Sequence, residues 1–143
     1  LGGSPTTIAW GELYSALAQG VVDGAENNPP SFVSNKHSEV CKFFSLDAHT
    51  RVPDLLLIST IAWKSLTAEQ KAWLKEAAMD SSGYQRELWA AMSRESLEKA
   101  AKSDGVEVFQ PDITLFMERV KPVYDEFAKG IVGEFVNRIR AVK

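Results

Sequence analysis

Hydrophobic and polar residues follow three different patterns along the chain. From Trp10 to Gln19, Leu13 and Leu17 stand four apart with Tyr14 beside them, which predicts a helix, and Gly20 suits the left-handed stop after its last turn. Val21-Val22-Asp23-Gly24-Ala25 then reads as a short buried strand and turn. Glu26-Asn27-Asn28 forms a polar end before Pro29-Pro30. The double proline breaks any helix there, although Pro30 can sit in the first turn of a new one over Ser31 to His37.

The pattern next turns β-rich. Val40 to Leu46 and Val52 to Thr60 are dense in β-branched and apolar residues. Leu55-Leu56-Leu57-Ile58 has no polar alternation, as expected of a strand covered on both faces, and Pro53 limits pairing at its start. Beyond residue 60 the pattern is helical. Thr67-Ala68-Glu69-Gln70 is a capping-box sequence, and from there to Ser103 only Gly83 interrupts a run of helix formers. Trp73, Ala77, Tyr84, Leu88 and Met92 fall near one face, a stripe expected to pack. A helix of that span is roughly 50 Å long, more than a small domain's diameter, and suits a strut lying across something else. Asp104-Gly105 ends it, and Val106 and Val108 alternate as a short strand. Asp112 can cap a further helix through Phe127 that Pro122 should kink or divide, and Gly130 precedes a last helix ending at Arg140. The expected class is α/β with more helix than strand. Residues 1–143 read as a single segment, with a helix and strands in 1–60 and the long helix, a short strand and terminal helices in 61–143.

Composition narrows the function. The chain has 143 residues, 45% hydrophobic and 24% charged, the balance of a globular domain. A net charge of −3 offers no electrostatic case for a nucleic-acid backbone or an anionic membrane. Cys41 is the single cysteine, so neither a disulfide framework nor a multi-cysteine metal site is available. The longest apolar run, Leu55 to Ile58, is too short to cross a bilayer. No signal peptide is visible, and the opening Leu1-Gly2-Gly3-Ser4-Pro5 without an initiator Met suggests a mature chain or a piece of a longer one.

Catalytic chemistry finds little support. His37, Cys41 and His49 can be drawn as a metal or thiol site, but nothing else has ligand spacing. Asp47 and His49 lack a nucleophile-elbow serine, and the glycines match no phosphate-loop pattern. No cofactor is implied, and an enzyme is the minority reading. Binding chemistry is richer. Asn27, after an apolar stretch and before a rigid Pro-Pro, can offer an amide donor and a carbonyl acceptor to a ligand, or serve as a turn residue bonded to its own backbone. Trp10 can wall a pocket or join the core. His49-Thr50-Arg51 can meet an anion, or be exposed polar residues ahead of a strand.

The run from Pro5-Thr6-Thr7-Ile8-Ala9-Trp10-Gly11-Glu12-Leu13-Tyr14 through Val21-Val22-Asp23-Gly24-Ala25-Glu26-Asn27 closely resembles the signature of periplasmic solute-binding proteins of tripartite ATP-independent periplasmic (TRAP) transporters, the DctP-type family. The later elements follow the family's order, so the resemblance covers essentially the whole chain. It implies the helix-rich C-terminal part of a two-lobed periplasmic binding protein, with few strands and one long helix spanning both lobes. Such a protein closes on a small organic acid, without catalysis, and delivers it to membrane subunits. By position, Trp10 matches the aromatic residue that packs on the ligand, and Asn27 the asparagine that hydrogen-bonds the ligand or its carboxylate. His49 falls near the ligand in relatives, and Glu26 and Arg51 are second-rank candidates.

Family members are about twice this length, and their carboxylate-clamping arginine lies upstream of the Trp10 helix. Leu1 to Ala9 contain no arginine, so the chain resembles the C-terminal half of such a protein. Ser31 to Val33 and His49-Thr50-Arg51-Val52-Pro53-Asp54 resemble members associated with sugar acids such as uronates, with C4-dicarboxylates next. The rival expectation is a truncated segment that exposes core surface and forms a homodimer or swapped assembly with no ligand of its own.

Overall fold

The structure is a computed structural model that describes residues 1–142. Helix accounts for 61% of the chain and the sheet is small. A one-turn 3-10 helix, Trp10–Glu12, leads into α1 (Leu13–Ala18). Gly20, at φ +68°, closes α1 as the pattern predicts: its N–H donates to Leu17 O at 3.2 Å and that of Val21 to Ala16 O at 2.9 Å. This paired closure is a Schellman cap. α2 (Pro29–Ser34) starts with both prolines in its first turn, and the Asn28 side chain caps it by accepting from Ser31 N–H. α2 ends earlier than its pattern suggested, because Lys36 turns left-handed at φ 63° and starts the short α3 (His37–Val40). Then come β1 (Phe43–Ser45), α4 (Thr60–Ser65) and α5 (Ala68–Ser103). β2 (Glu107–Phe109), α6 (Ile113–Phe127) and α7 (Gly130–Arg140) complete the order.

Local signals held where the residues involved lie within one turn of each other. Thr67 Oγ1 accepts from Gln70 N–H at 3.2 Å while Gln70 Oε1 accepts from Thr67 N–H at 2.9 Å, the full capping box. α5 runs 36 residues through Gly83, about 54 Å at the usual rise. Asp112 caps α6 by accepting from Thr114 N–H, and the Thr114 hydroxyl first, then that N–H, hold its carboxyl below the usual range. α6 continues through Pro122 rather than dividing there.

The strand expectations fared differently. Among the described residues the sheet is β1 paired with β2 alone. Val21 to Ala25 form bends and irregular chain, and Val52 to Ser59 carry no strand. The reason is physical: a strand exists through its neighbour's hydrogen bonds, which apolar content cannot supply. Leu55 and Leu57 are 74% and 81% exposed, the reverse of the burial their pattern implies. The α5 stripe is also uncovered, with Trp73 58% and Tyr84 66% exposed.

The chain forms two compact units. One comprises Ile8–Phe44 and His49–Phe109, the other Leu1–Thr7, Ser45–Ala48 and the segment from Gln110 onward. The core of the first is Phe32 of α2, Ala100 of α5 and Val106, packed by Val33, Cys41, Phe44 and Val108. Phe32 and Phe44 stack tilted at 4.8 Å. Buried Ser38 donates to Asp104 Oδ2 at 2.6 Å, and Lys42 Nζ donates to Asp104 O at 2.7 Å and Ser38 O at 3.2 Å. These bonds tie α3 to the C-terminal end of α5.

In the second unit, a Cβ built on Gly133 would lie 2.6 Å from Ala128 O, a backbone atom. Gly133→Ala is therefore expected to destabilise this unit by about 1–3 kcal/mol, since backbone must move to admit the methyl. Hydrogen exchange of α6 and α7 amides would report the loss. Wild-type protection in the variant would contradict it.

Candidate functional site

The chemistry concentrates in the first unit around a cavity of about 390 Å³. The Val22–Ala25 segment and residues Cys41 to Phe44 line it, with Leu17, Phe32 and Val40 adding apolar surface. Its polar groups include Asn27, His37 and Lys42. Lys42 is already engaged with two carbonyls, so its ammonium serves the α3–α5 tie.

Asn27 is the informative residue. Its Oδ1 accepts from Asn28 N–H at 2.9 Å, which fixes the orientation of the amide. Its Nδ2 is buried and makes no hydrogen bond. Leaving a buried donor unmade costs about 1–3 kcal/mol, so an acceptor delivered there from outside would be favoured. The oxygen thus makes the turn, as the turn reading expects, while the nitrogen has no acceptor within the protein. Asn28, by contrast, is committed as the α2 cap.

Trp10, 56% exposed, meets the buried His37 edge-on, with ring centroids 5.5 Å apart and planes at 71°. His37 also lines the cavity with Asn27. Glu26 and His49 lie 3.5 Å apart, Oε2 to Nε2, at the exposed end of the same stretch. That pair has high solvent access, so it orients more than it stabilises. Trp10, Glu26, His49 and Arg51 are not among the cavity-lining residues, and Arg51 is exposed. The structure therefore places Asn27 in the cavity, Trp10 beside it through His37, and Glu26 against His49.

Burial pushes the His37 imidazole below its ordinary value, keeping it neutral near pH 7. Burial also raises the Cys41 thiol, partly offset by the Lys42 ammonium, so it stays protonated and weakly reactive. The Tyr14 hydroxyl donates to Glu39 at 3.3 Å and is raised by desolvation and by that carboxylate. Among the described residues no group of three or more His, Cys, Asp or Glu is placed to hold a metal ion.

The neutral His37 sets a pH dependence. In the unfolded chain it titrates near 6.5 and in the fold lower, so the unfolded state binds more protons as pH falls through that value. Its stability contribution is complete above 6.5 and is lost below it. Urea midpoints between about pH 8 and about pH 5 should fall on the acid side, with His37→Phe removing that part of the slope. An unchanged slope in His37→Phe would contradict the assignment.

In the sequence, His37 stands out only with Cys41 and His49, as a metal or thiol site. Its contact with Trp10 spans 27 positions and depends on Lys36 turning left-handed, for which the sequence carries no glycine or asparagine signal. The Ser38–Asp104 bond, 66 positions apart, is likewise non-local.

Residues 1–130 match the family DctP, described as bacterial extracellular solute-binding protein, family 7. A solute-binding protein of Chromohalobacter salexigens is 36% identical over 130 residues, covering 90% of this chain and 38% of its own length. Among solved structures, a TRAP periplasmic solute-binding protein from Sulfitobacter with bound β-D-galacturonate is 41% identical with a TM-score of 0.79. That match covers 87% of this chain and 41% of the other. A second, from Polaromonas and bound to D-erythronate, is 36% identical with a TM-score of 0.84, covering 97% and 46%.

The chain belongs to the DctP family of extracellular solute-binding proteins. Its helices and small sheet match the C-terminal portion of the TRAP binding-protein fold. The chain spans 38 to 46% of the length of these relatives. The family consists of periplasmic transport proteins that are not enzymes, and among the described residues no helix is long and apolar enough to cross a membrane.

Proposed function

We propose that this chain supplies a ligand-binding face of a periplasmic solute-binding subunit that captures a small organic acid and hands it to TRAP membrane subunits. The ligand class is a sugar acid such as a uronate, with C4-dicarboxylates second. The observation that carries this reading is the buried, unpartnered Asn27 amide nitrogen in a cavity that His37 and Lys42 also line, with the Asp23 carboxylate as its acidic member. Asn27 donates to an oxygen of the acid, Trp10 covers an apolar face of its ring or chain, and Glu26 with His49 meets its hydroxyls. Arg51 is a second-rank member, exposed and outside the cavity lining, as Trp10, Glu26 and His49 also are. Relatives bound to β-D-galacturonate and to D-erythronate support hydroxylated monoacids as the first compounds to try.

A thermal-shift panel of D-galacturonate, D-glucuronate, D-erythronate and succinate tests the reading. Ligand at about a hundred times Kd adds about 2.7 kcal/mol, which raises Tm by several degrees. The sugar acids are expected to do this and succinate to do it less. A flat response to all four acids would contradict it.

A second reading, assembly with another copy of the chain, is favoured by the exposed Leu55–Leu57 run. Light scattering separates the two, since that reading predicts a dimeric mass unaffected by any of the acids.

A further inference from the structure

Trp10 sits on a single 3-10 turn, and its ring is more than half exposed. Much of Trp10 faces solvent, and an aromatic wall helps binding only if it stands in place beforehand. His37 supplies the restraint. It is 4% exposed and meets the Trp10 ring edge-to-face at 5.5 Å and 71°, a geometry aromatic pairs prefer.

His37 is itself held from several sides. Lys36 before it turns the chain left-handed, Ser38 after it bonds Asp104, and Glu39 accepts from Tyr14 of α1. Lys42 then bonds back to Ser38 O. The same imidazole lines the cavity that contains the unpartnered Asn27 amide.

From this juxtaposition we infer that His37 is the positioning residue of the site: it fixes the Trp10 ring at a set distance from the Asn27 donor, so that the two act on one ligand. This rests on the reading that Trp10 and Asn27 belong to the binding face. His37 acts through Trp10 and its aromatic edge is what matters, so a phenyl ring should replace it and an aliphatic side chain should not.

The test is a double-mutant cycle on D-galacturonate affinity with Trp10→Ala, His37→Leu, His37→Phe and the Trp10→Ala/His37→Leu pair. His37→Leu should weaken binding about three- to tenfold, the range an aromatic pair spans, and His37→Phe should stay within about twofold of wild type. In the Trp10→Ala background, His37→Leu should cost nothing further. An equal loss with and without Trp10 overturns the positioning role and leaves the site reading standing. A Trp10→Ala protein with unchanged affinity overturns the site reading, and the inference with it.

A ligand-free readout keeps the inference testable even if affinity is weak. In a protein whose Trp63, Trp73 and Trp89 are Phe, the emission anisotropy of Trp10 should drop with His37→Leu and recover with His37→Phe. Equal anisotropy in the three proteins overturns the inference regardless of ligand.

Discussion

Asn27→Asp is expected to weaken organic-acid binding by about 2 kcal/mol or more, roughly thirtyfold, while leaving the fold intact. The asparagine oxygen already accepts from Asn28 N–H, and an aspartate oxygen does the same, so the turn before α2 persists. What changes is the atom left over. The buried Nδ2 donor becomes a carboxylate oxygen, so a ligand acceptor meets a like charge instead of an N–H. Hydrogen bonds to charged groups contribute about 1.5–3 kcal/mol, and repulsion between two carboxylates adds to the loss. Calorimetric titration with D-galacturonate, together with Tm, separates the effects. Weak binding by a variant that still unfolds cooperatively supports the role of Asn27, the buried carboxylate itself lowering Tm. Unchanged affinity would mean that the nitrogen faces no ligand.

Phe32→Ala carries the largest expected loss of stability, about 3–5 kcal/mol. The core of the first unit is small: Phe32, Ala100 and Val106 are its buried members, and Phe32 is the largest of them, stacked on the Phe44 ring. Truncating it removes most of the buried apolar surface that docks α2 on α5. The effect should reach the site as well, because Phe32 lines the cavity and α2 starts at the Asn28 cap next to Asn27. Urea denaturation would measure the loss. A change below about 1 kcal/mol would mean that α2 is held by its cap and prolines rather than by packing.

What the sequence made legible follows the range of the interactions involved. The Thr67–Gln70 box, the Asp112 cap and the Gly20 stop each depend on atoms a few residues apart, and each stands where the pattern puts it. Val52 to Ile58 did not follow its pattern, since strand formation depends on a partner and only β1 and β2 pair among the described residues. The stripe from Trp73 to Met92 fails in the same way: its spacing is helical and the helix is there, but spacing says nothing about what covers it. At the site, the motif ending in Glu26-Asn27 directed attention to an asparagine, and the asymmetry between its two amide atoms needed coordinates. His37 lay outside the binding reading altogether. Its value comes from a left-handed Lys36 and a ring 27 positions away.

The central claim is that this chain presents a site for a small hydroxylated acid, centred on the Asn27 amide. Isothermal titration of the chain with D-galacturonate tests it most directly. Saturable binding at one site per chain, weakened at least about thirtyfold by Asn27→Asp, is the predicted result. Absence of saturable heat with D-galacturonate, D-glucuronate and D-erythronate alike would contradict it.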